Sequence, residues 1–240
     1  EEGIDPRKDT KLHTVCIGAE PHSEEQRKRI EQLLGVKAYN CFGMSEMNGP
    51  GVAFECTEQN GLHIWEDNVI VEIVDPVTLQ PVPEGEVGEL VLTTINREAM
   101  PLLRYRTRDL TCILPGDCPC GRTHKRLARF KGRSDDMIIL KGVNLFPIQI
   151  EKILMQFKEL GSNYLITLET IGNSDEMLIE VELSDLFTDD YSALQRLTKG
   201  ITRQLKDELL LTPRIKLVAK GSLPTTDGKA VRVKDHRKLC

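Results

Sequence analysis

Five short stretches of this 240-residue chain combine residue types that can do chemistry. In CFGMSEMNGPG (41–51) a hydroxyl, Ser45, and a carboxylate, Glu46, follow Gly43 at the end of an apolar run. A glycine there lets the backbone turn sharply at a strand tip, the usual ligand position of a parallel sheet. Ser45 suits a phosphate and Glu46 the Mg²⁺ that accompanies it, because a hard cation takes carboxylate oxygens and shares its shell with substrate phosphates. The plainer reading is a solvated turn, since Gly-x-Ser-Glu is short and common.

In PLLRYRTRDLT (101–111), Arg104, Arg106 and Arg108 alternate along an expected strand that ends near Asp109. Three guanidinium groups on one face would make an anion-binding strip, and the carboxylate could accept two hydrogen bonds from a vicinal diol such as a ribose. The competing reading is a surface strand with an Arg–Asp pair. GRSDD (132–136) marks a polar boundary where rotation of one domain against another is easiest; otherwise it is an ordinary linker. Lys229, in LPTTDGKAVR (223–232), sits on a loop from which a mobile ammonium could reach a phosphate, although most loop lysines are merely solvated.

The fifth stretch is split. Cys56 and His63 lie in ECTEQNGLH, and Cys118 and Cys120 in GDCPCGRTH, with His124 close by as a substitute ligand. Three Cys and one His suit a closed tetrahedral structural Zn²⁺ site. The spacing departs from C-x₂-C, and reduced cysteines in turns are the alternative. Cys16, Cys41 and Cys112 lie in apolar strands and read as core residues.

These groups need elements to hold them. HTVCIGAEP (13–21) reads as a buried strand, SEEQRKRIEQLLG (23–35) as a helix with Ser23 as N-cap, Gln26 in the capping-box position and Gly35 as stop, and VKAYNCF as a returning strand. This is the strand–helix–strand unit of a parallel sheet. NVIVEIVDP (68–76) and GEVGELVLTTI (85–95) alternate as antiparallel strands. Beyond GRSDD come MIILKG, a helix over 146–157 with Pro147 in its first turn, a hairpin over 163–183, a helix over 189–210 and a strand over 214–221. The expected fold is therefore α/β plus α+β. Residues 1–134 form one domain with a β-rich subdomain, and residues 135–240 a small βαββαβ domain.

Composition narrows the classes. Hydrophobic residues make up 40% and charged residues 29%, as in an ordinary globular protein. The net charge of −5 leaves no bulk footprint for nucleic acid. No apolar run is long enough to span a membrane, and the acidic start lacks a signal-like pattern, so the expectation is a cytoplasmic protein with no membrane partner. Seven cysteines, an odd number, favour reduced thiols or a metal over a disulfide framework. A chain opening at Glu1 with linker-like residues is expected to be a fragment.

In order, IGAEP, NCFGMSEMNGPGVAFEC, GLHIWEDN, PEGEVGELVLTT, MPLLRYRTRD, CPCGRTH, GRSDDMIILKGVNLFPIQIE and TDGKAVRVKDHR resemble the adenylate-forming superfamily of acyl-CoA synthetases, most closely the phenylacetate-CoA ligase family. The resemblance implies small-molecule substrates: ATP, which leaves as AMP and pyrophosphate, an aryl acid, and CoA, which displaces AMP from the acyl-adenylate. It implies that Ser45 contacts phosphate, Glu46 holds Mg²⁺, and Lys229 stabilises charge during adenylation. Gly18, Ala19, Glu20, Asn40, Phe42, Gly43 and Met44 would flank the nucleotide, Asp109 would bind the ribose and Arg133 would assist. Asp135 would be the hinge of a rotating small domain, and Lys141, Gly142, Val143 and Asn144 would line the path of the CoA arm. Phe42 stands where the superfamily usually has Tyr, and the family's phosphate loop has no match here, which implies no turnover by this chain alone. A homodimer is compatible with the resemblance. A ligase for another aromatic or medium-chain acid, or a non-catalytic zinc-stabilised nucleotide-binding module, are the other readings.

Overall fold

The computed structural model describes residues 3–47, 49–172, 174–185, 191–224 and 230–237. By packing, the chain divides into Glu1–His22 with Arg27–Asp136, and Ser23–Gln26 with Met137–Cys240.

The first unit runs α1 (Pro6–Asp9), β1 (Thr14–Ile17), α2 (Glu24–Leu34), β2 (Lys37–Met44), a 3₁₀ turn (Ser45–Met47), β3 (Gly49–Glu55), β4 (Leu62–Ile64), β5 (Val69–Val74), β6 (Gly88–Thr94), β7 (Tyr105–Thr111), β8 (Ile113–Leu114), β9 (Arg126–Leu127) and β10 (Gly132–Arg133). The helix forms where capping demands it. Ser23 Oγ accepts the Gln26 N–H at 3.2 Å, Glu24 and Glu25 face the positive end of the dipole, and Gly35 takes φ 68° while its N–H closes on the Glu31 carbonyl. β1 and β2 then pair in parallel from Thr14↔Lys37 to Ile17↔Asn40, the strand–helix–strand unit read from the sequence.

Two sheets follow, β1-β2-β3-β4-β9-β8 and β10-β7-β6-β5. Val52, Ala53, Leu62, Ile64, Leu90, Leu92 and Leu127 form the core of this unit. The β5–β6 hairpin is antiparallel from Val69↔Thr94 to Val74↔Glu89, as its alternation requires. β2 runs two residues past the expected end. Gly43 does not turn the chain; it lies on β2 opposite a register slip in which β3 carries the extra residues, and the reversal falls to the 3₁₀ turn behind it.

The second unit runs β11 (Ile138–Leu140), β12 (Val143–Leu145), α3 (Pro147–Leu154), β13 (Leu160–Ile171), β14 (Ser174–Leu183), α4 (Tyr191–Leu209), β15 (Arg214–Val218) and β16 (Val233–Asp235). Pro147 opens α3, and Gln149 Oε1 accepts the Phe146 N–H at 2.8 Å. Leu197, Ile201 and Leu205 put one buried stripe on α4, against a core that includes Ile150, Ile153, Leu160, Ile166 and Ile179. The sheet order is β15-β14-β13-β16. The expected βαββαβ succession is present, with β12 and β16 added to it. The first strand, from MIILKG, stays in a separate two-stranded β11–β12 hairpin, and the edge beside β13 is taken by β16, in parallel. Only three residues make β16, too short for alternation to announce it.

No helix among the described residues is long and apolar enough to cross a membrane.

Gly18 is the tightest point of the parallel pair. A Cβ there would lie 2.4 Å from the Cys41 carbonyl oxygen and 2.7 Å from its sulfur. Gly18→Ala must push β1 off β2 and is expected to destabilise the unit by about 1–3 kcal/mol. Gly51→Ala, with nothing within 4 Å, serves as the control, and urea unfolding of both variants reads the difference.

Candidate functional site

Ser45 and Glu46 are presented by the 3₁₀ turn, which Met47 anchors by its own burial. The Glu46 carbonyl accepts from Arg97. The Glu46 carboxylate lies 3.5 Å from the Tyr105 hydroxyl at the start of β7. Burial and the neighbouring Glu46 carboxylate push the Tyr105 hydroxyl above its usual range, with Arg133 opposing and Asp109 adding to the rise. Three predicted site residues, Glu46, Asp109 and Arg133, thus act on Tyr105, which the sequence reading missed.

The approach of Asp109 depends on how β7 is built. Its pairing with β6 slips between Val91↔Arg106 and Glu89↔Leu110, so β7 carries extra residues there, and Arg108 takes φ 69°, rare for a side chain with a Cβ. Asp109 then pairs with Arg133 of β10, and its N–H donates to Thr107 Oγ1 at 3.1 Å.

The bulge also dissolves the expected arginine strip. Arg104 bonds Glu72 at 3.1 Å. Arg106 grips Glu89 with two bonds of 2.8 and 2.7 Å, and Arg108 stands 3.8 Å from the same carboxylate. The guanidinium groups face glutamates contributed by β5 and β6, which alternation within β7 could not reveal. Glu89 is fully buried, and the Arg106 bonds hold its carboxyl below the usual carboxylate range.

The other predicted positions are distributed as follows. Gly18 follows β1 and lies against Cys41, Ala19 comes next with φ 69°, and Glu20 offers its carbonyl 3.4 Å from His22 Nδ1. Asn40 is buried, its N–H donating to Glu55 at 2.7 Å. Phe42 packs on Phe130 with ring centroids 4.4 Å apart, and Met44 closes β2. Arg133 is held by Asp135 through two bonds of 2.9 Å, which push its guanidinium up and the Asp135 carboxyl down. The hinge candidate and the ribose-assisting candidate thus hold each other. In the second unit, Lys141 and Gly142 take φ 50° and 80° as the two-residue turn between β11 and β12, where Asn144 pairs with Ile139 beside Val143. Lys141 Nζ stands 3.6 Å from Glu176. Lys229 lies outside the described residues.

Cys56, His63, Cys118 and Cys120 come together with all four ligand atoms within 4.8 Å of one another. His124 is not among them. Burial pushes the Cys56 thiol up to about 11, whereas the Arg122 backbone N–H holds Cys120 down at about 7. Of the cysteines expected in the core, Cys112 is buried and Cys41 half-buried, but Cys16 is exposed on the sheet-edge strand β1.

Comparison with known proteins places this geometry. The model of the AMP-binding enzyme matches residues 4–96, and that of the AMP-binding enzyme C-terminal domain residues 142–237. The chain belongs to the AMP-binding enzymes. The phenylacetate-coenzyme A ligase of Thermus thermophilus is 42% identical over 99% of this chain and 57% of its own length, and that of Pseudomonas putida 44% identical over 98% and 53%. A crystal structure of 2-hydroxyisobutyryl-CoA ligase in complex with 2-HIB-AMP matches 97% of this chain and 50% of that one, with TM-score 0.89 and 31% identity. The chain spans about half the length of the curated relatives it matches.

The Glu89–Arg106 pair is testable by pH. A carboxyl whose folded pKa lies below its unfolded value of about 4.3 contributes stability above that pH and loses it as pH falls through the folded value. Glu89→Gln is expected to cost about 2 kcal/mol at pH 7, less than a fully buried pair would because Arg106 is 31% exposed. It should also flatten the fall in stability between about pH 5 and 3. Denaturant titrations across that range check both.

Proposed function

We propose that this chain forms part of the nucleotide site of an ATP-dependent acid–CoA ligase that works through an acyl-adenylate. What supports the reading is the Glu46 carboxylate 3.5 Å from the Tyr105 hydroxyl and Asp109 paired with Arg133 across β7 and β10, in a chain more than 40% identical to phenylacetate-coenzyme A ligases. In the first half-reaction an acid carboxylate oxygen attacks the α-phosphorus of ATP, forming the acyl–phosphate bond and expelling pyrophosphate. In the second the CoA thiolate attacks the acyl carbonyl and AMP leaves. An aryl acid, phenylacetate or a close relative, is the proposed substrate.

Glu46 is exposed on its turn and offers the hard oxygen that Mg²⁺ takes; the bound ion would neutralise phosphate charge. Ser45 would donate to a phosphate oxygen. Asp109, fixed by the β7 bulge, would accept from the ribose hydroxyls, and Phe42 on Phe130 would supply an apolar wall for the base. Lys229 would neutralise charge on the reacting phosphate, and Lys141–Asn144 would border the CoA arm. Residues 1–134 would be the end of the large domain and 135–240 a small domain that turns about Asp135 between the half-reactions.

The test joins this chain to the N-terminal portion of one of the curated relatives and follows acid-dependent pyrophosphate release over a panel of aryl and medium-chain acids. Release led by phenylacetate, with Glu46→Gln at least about 100-fold slower and Asp109→Asn raising the KM for ATP, supports the reading. No acid-dependent release from a folded fusion that also fails to bind AMP overturns it.

A further inference from the structure

The Cys/His tetrad shares no residue with the nucleotide candidates, and its geometry points to a closed structural zinc site that clamps the β3–β4 hairpin to the loop between β8 and β9. Cys56 immediately follows β3, His63 lies on β4, and Cys118 and Cys120 lie in that loop. With Zn–S near 2.3 Å and Zn–N near 2.0–2.1 Å, a tetrahedral centre separates two sulfurs by about 3.8 Å and a sulfur from a nitrogen by about 3.6 Å. Cys56 Sγ and Cys118 Sγ are 3.6 Å apart, and Cys120 Sγ and His63 Nε2 are 3.4 Å apart. Both spacings fall within a few tenths of an ångström of that tetrahedron.

Chemistry selects the ion. Three thiolates and one imidazole are soft and borderline donors that suit Zn²⁺, and there is no carboxylate in the set to favour Mg²⁺ or Ca²⁺. Four protein ligands leave no open position, so the ion would be structural.

The surroundings hold the ligands ready. Cys56, His63 and Cys118 are each no more than 6% exposed. Arg126 of β9 fastens the loop by donating to the carbonyls of Asn60 at 2.9 Å, Gly116 at 3.0 Å and Asp117 at 3.3 Å. The Gly121 N–H closes a turn on the Cys118 carbonyl. At Gly61, which leads into β4 with φ 86°, a Cβ would meet Leu114 Cδ1 at 2.5 Å and the Leu127 carbonyl at 2.9 Å. That contact presses the hairpin onto β8 and β9. Metal binding would add bonds across the same seam, next to Glu55, whose carboxylate holds the Asn40 N–H of β2.

The experiment measures metal by elemental analysis in the whole chain purified without chelator. About one equivalent of zinc is expected, falling below a tenth in Cys118→Ser and Cys120→Ser and unchanged in Cys112→Ser, which alters a buried cysteine outside the set. Cobalt exchanged into the wild-type chain should give the intense absorption of tetrahedral thiolate coordination, a readout independent of whether the serine variants fold. Less than a tenth of an equivalent in wild type, a Cys56–Cys118 disulfide in its place, another metal in stoichiometric amount, or zinc retained in folded ligand variants overturns the proposal.

Discussion

The carboxylate of Glu89 is the charge around which β7 is arranged. It is fully buried on β6, and a carboxylate in that position is tolerated only when well-placed cations saturate its oxygens. Arg106 does so with two bonds, and Arg108 approaches from beyond the bulge. An unbroken alternation would carry Arg106 and Arg108 along one face in ordinary register. The slip between β6 and β7 instead gathers both toward one glutamate and sets Asp109 opposite Arg133. Tyr105, at the other end of the strand, meets the Glu46 carboxylate at 3.5 Å. The strained φ of Arg108 is retained because the paired charges on either side of it over-determine the strand.

The first unit is thus a set of close backbone approaches at which small residues are needed. Gly18 touches Cys41, and Gly88, which opens β6, would place a Cβ 2.5 Å from the Val74 carbonyl. The second lies one residue before Glu89, so the buried charge sits where β5 and β6 come closest. The second unit is built differently. Its long β13–β14 ladder and the single apolar stripe of α4 bury a larger and simpler core, and its polar features, such as the Lys141–Gly142 turn, are added at the edges.

Much of this could be read from residue order. The capping of α2 by Ser23 and Gly35, Pro147 at the head of α3, and the β5–β6 and β13–β14 hairpins all follow from local rules of period and turn chemistry. Residue type and order along the chain make Ser45, Glu46, Asp109 and Arg133 candidates. Tyr105 stands within PLLRYRTRDLT too, but its neighbour Glu46 lies 59 residues away, so local spacing does not mark it. The arginine strip failed because its partners, Glu72 and Glu89, lie 32 and 17 residues from Arg104 and Arg106, beyond any local pattern.

The amino-acid order by itself determined the long helices and strands, and which residue types are available for phosphate, ribose and metal, because those depend on neighbours within a few positions. Only the tertiary structure decided which of those residues meet. The two-residue slip in β7 sets Asp109 opposite Arg133, the buried charge of Glu89 takes up Arg106 and Arg108, and the pairing of β4 with β9 brings His63 rather than His124 to the three cysteines. Each is a register or a long-range pairing, and register is fixed by packing energy summed over whole sheets.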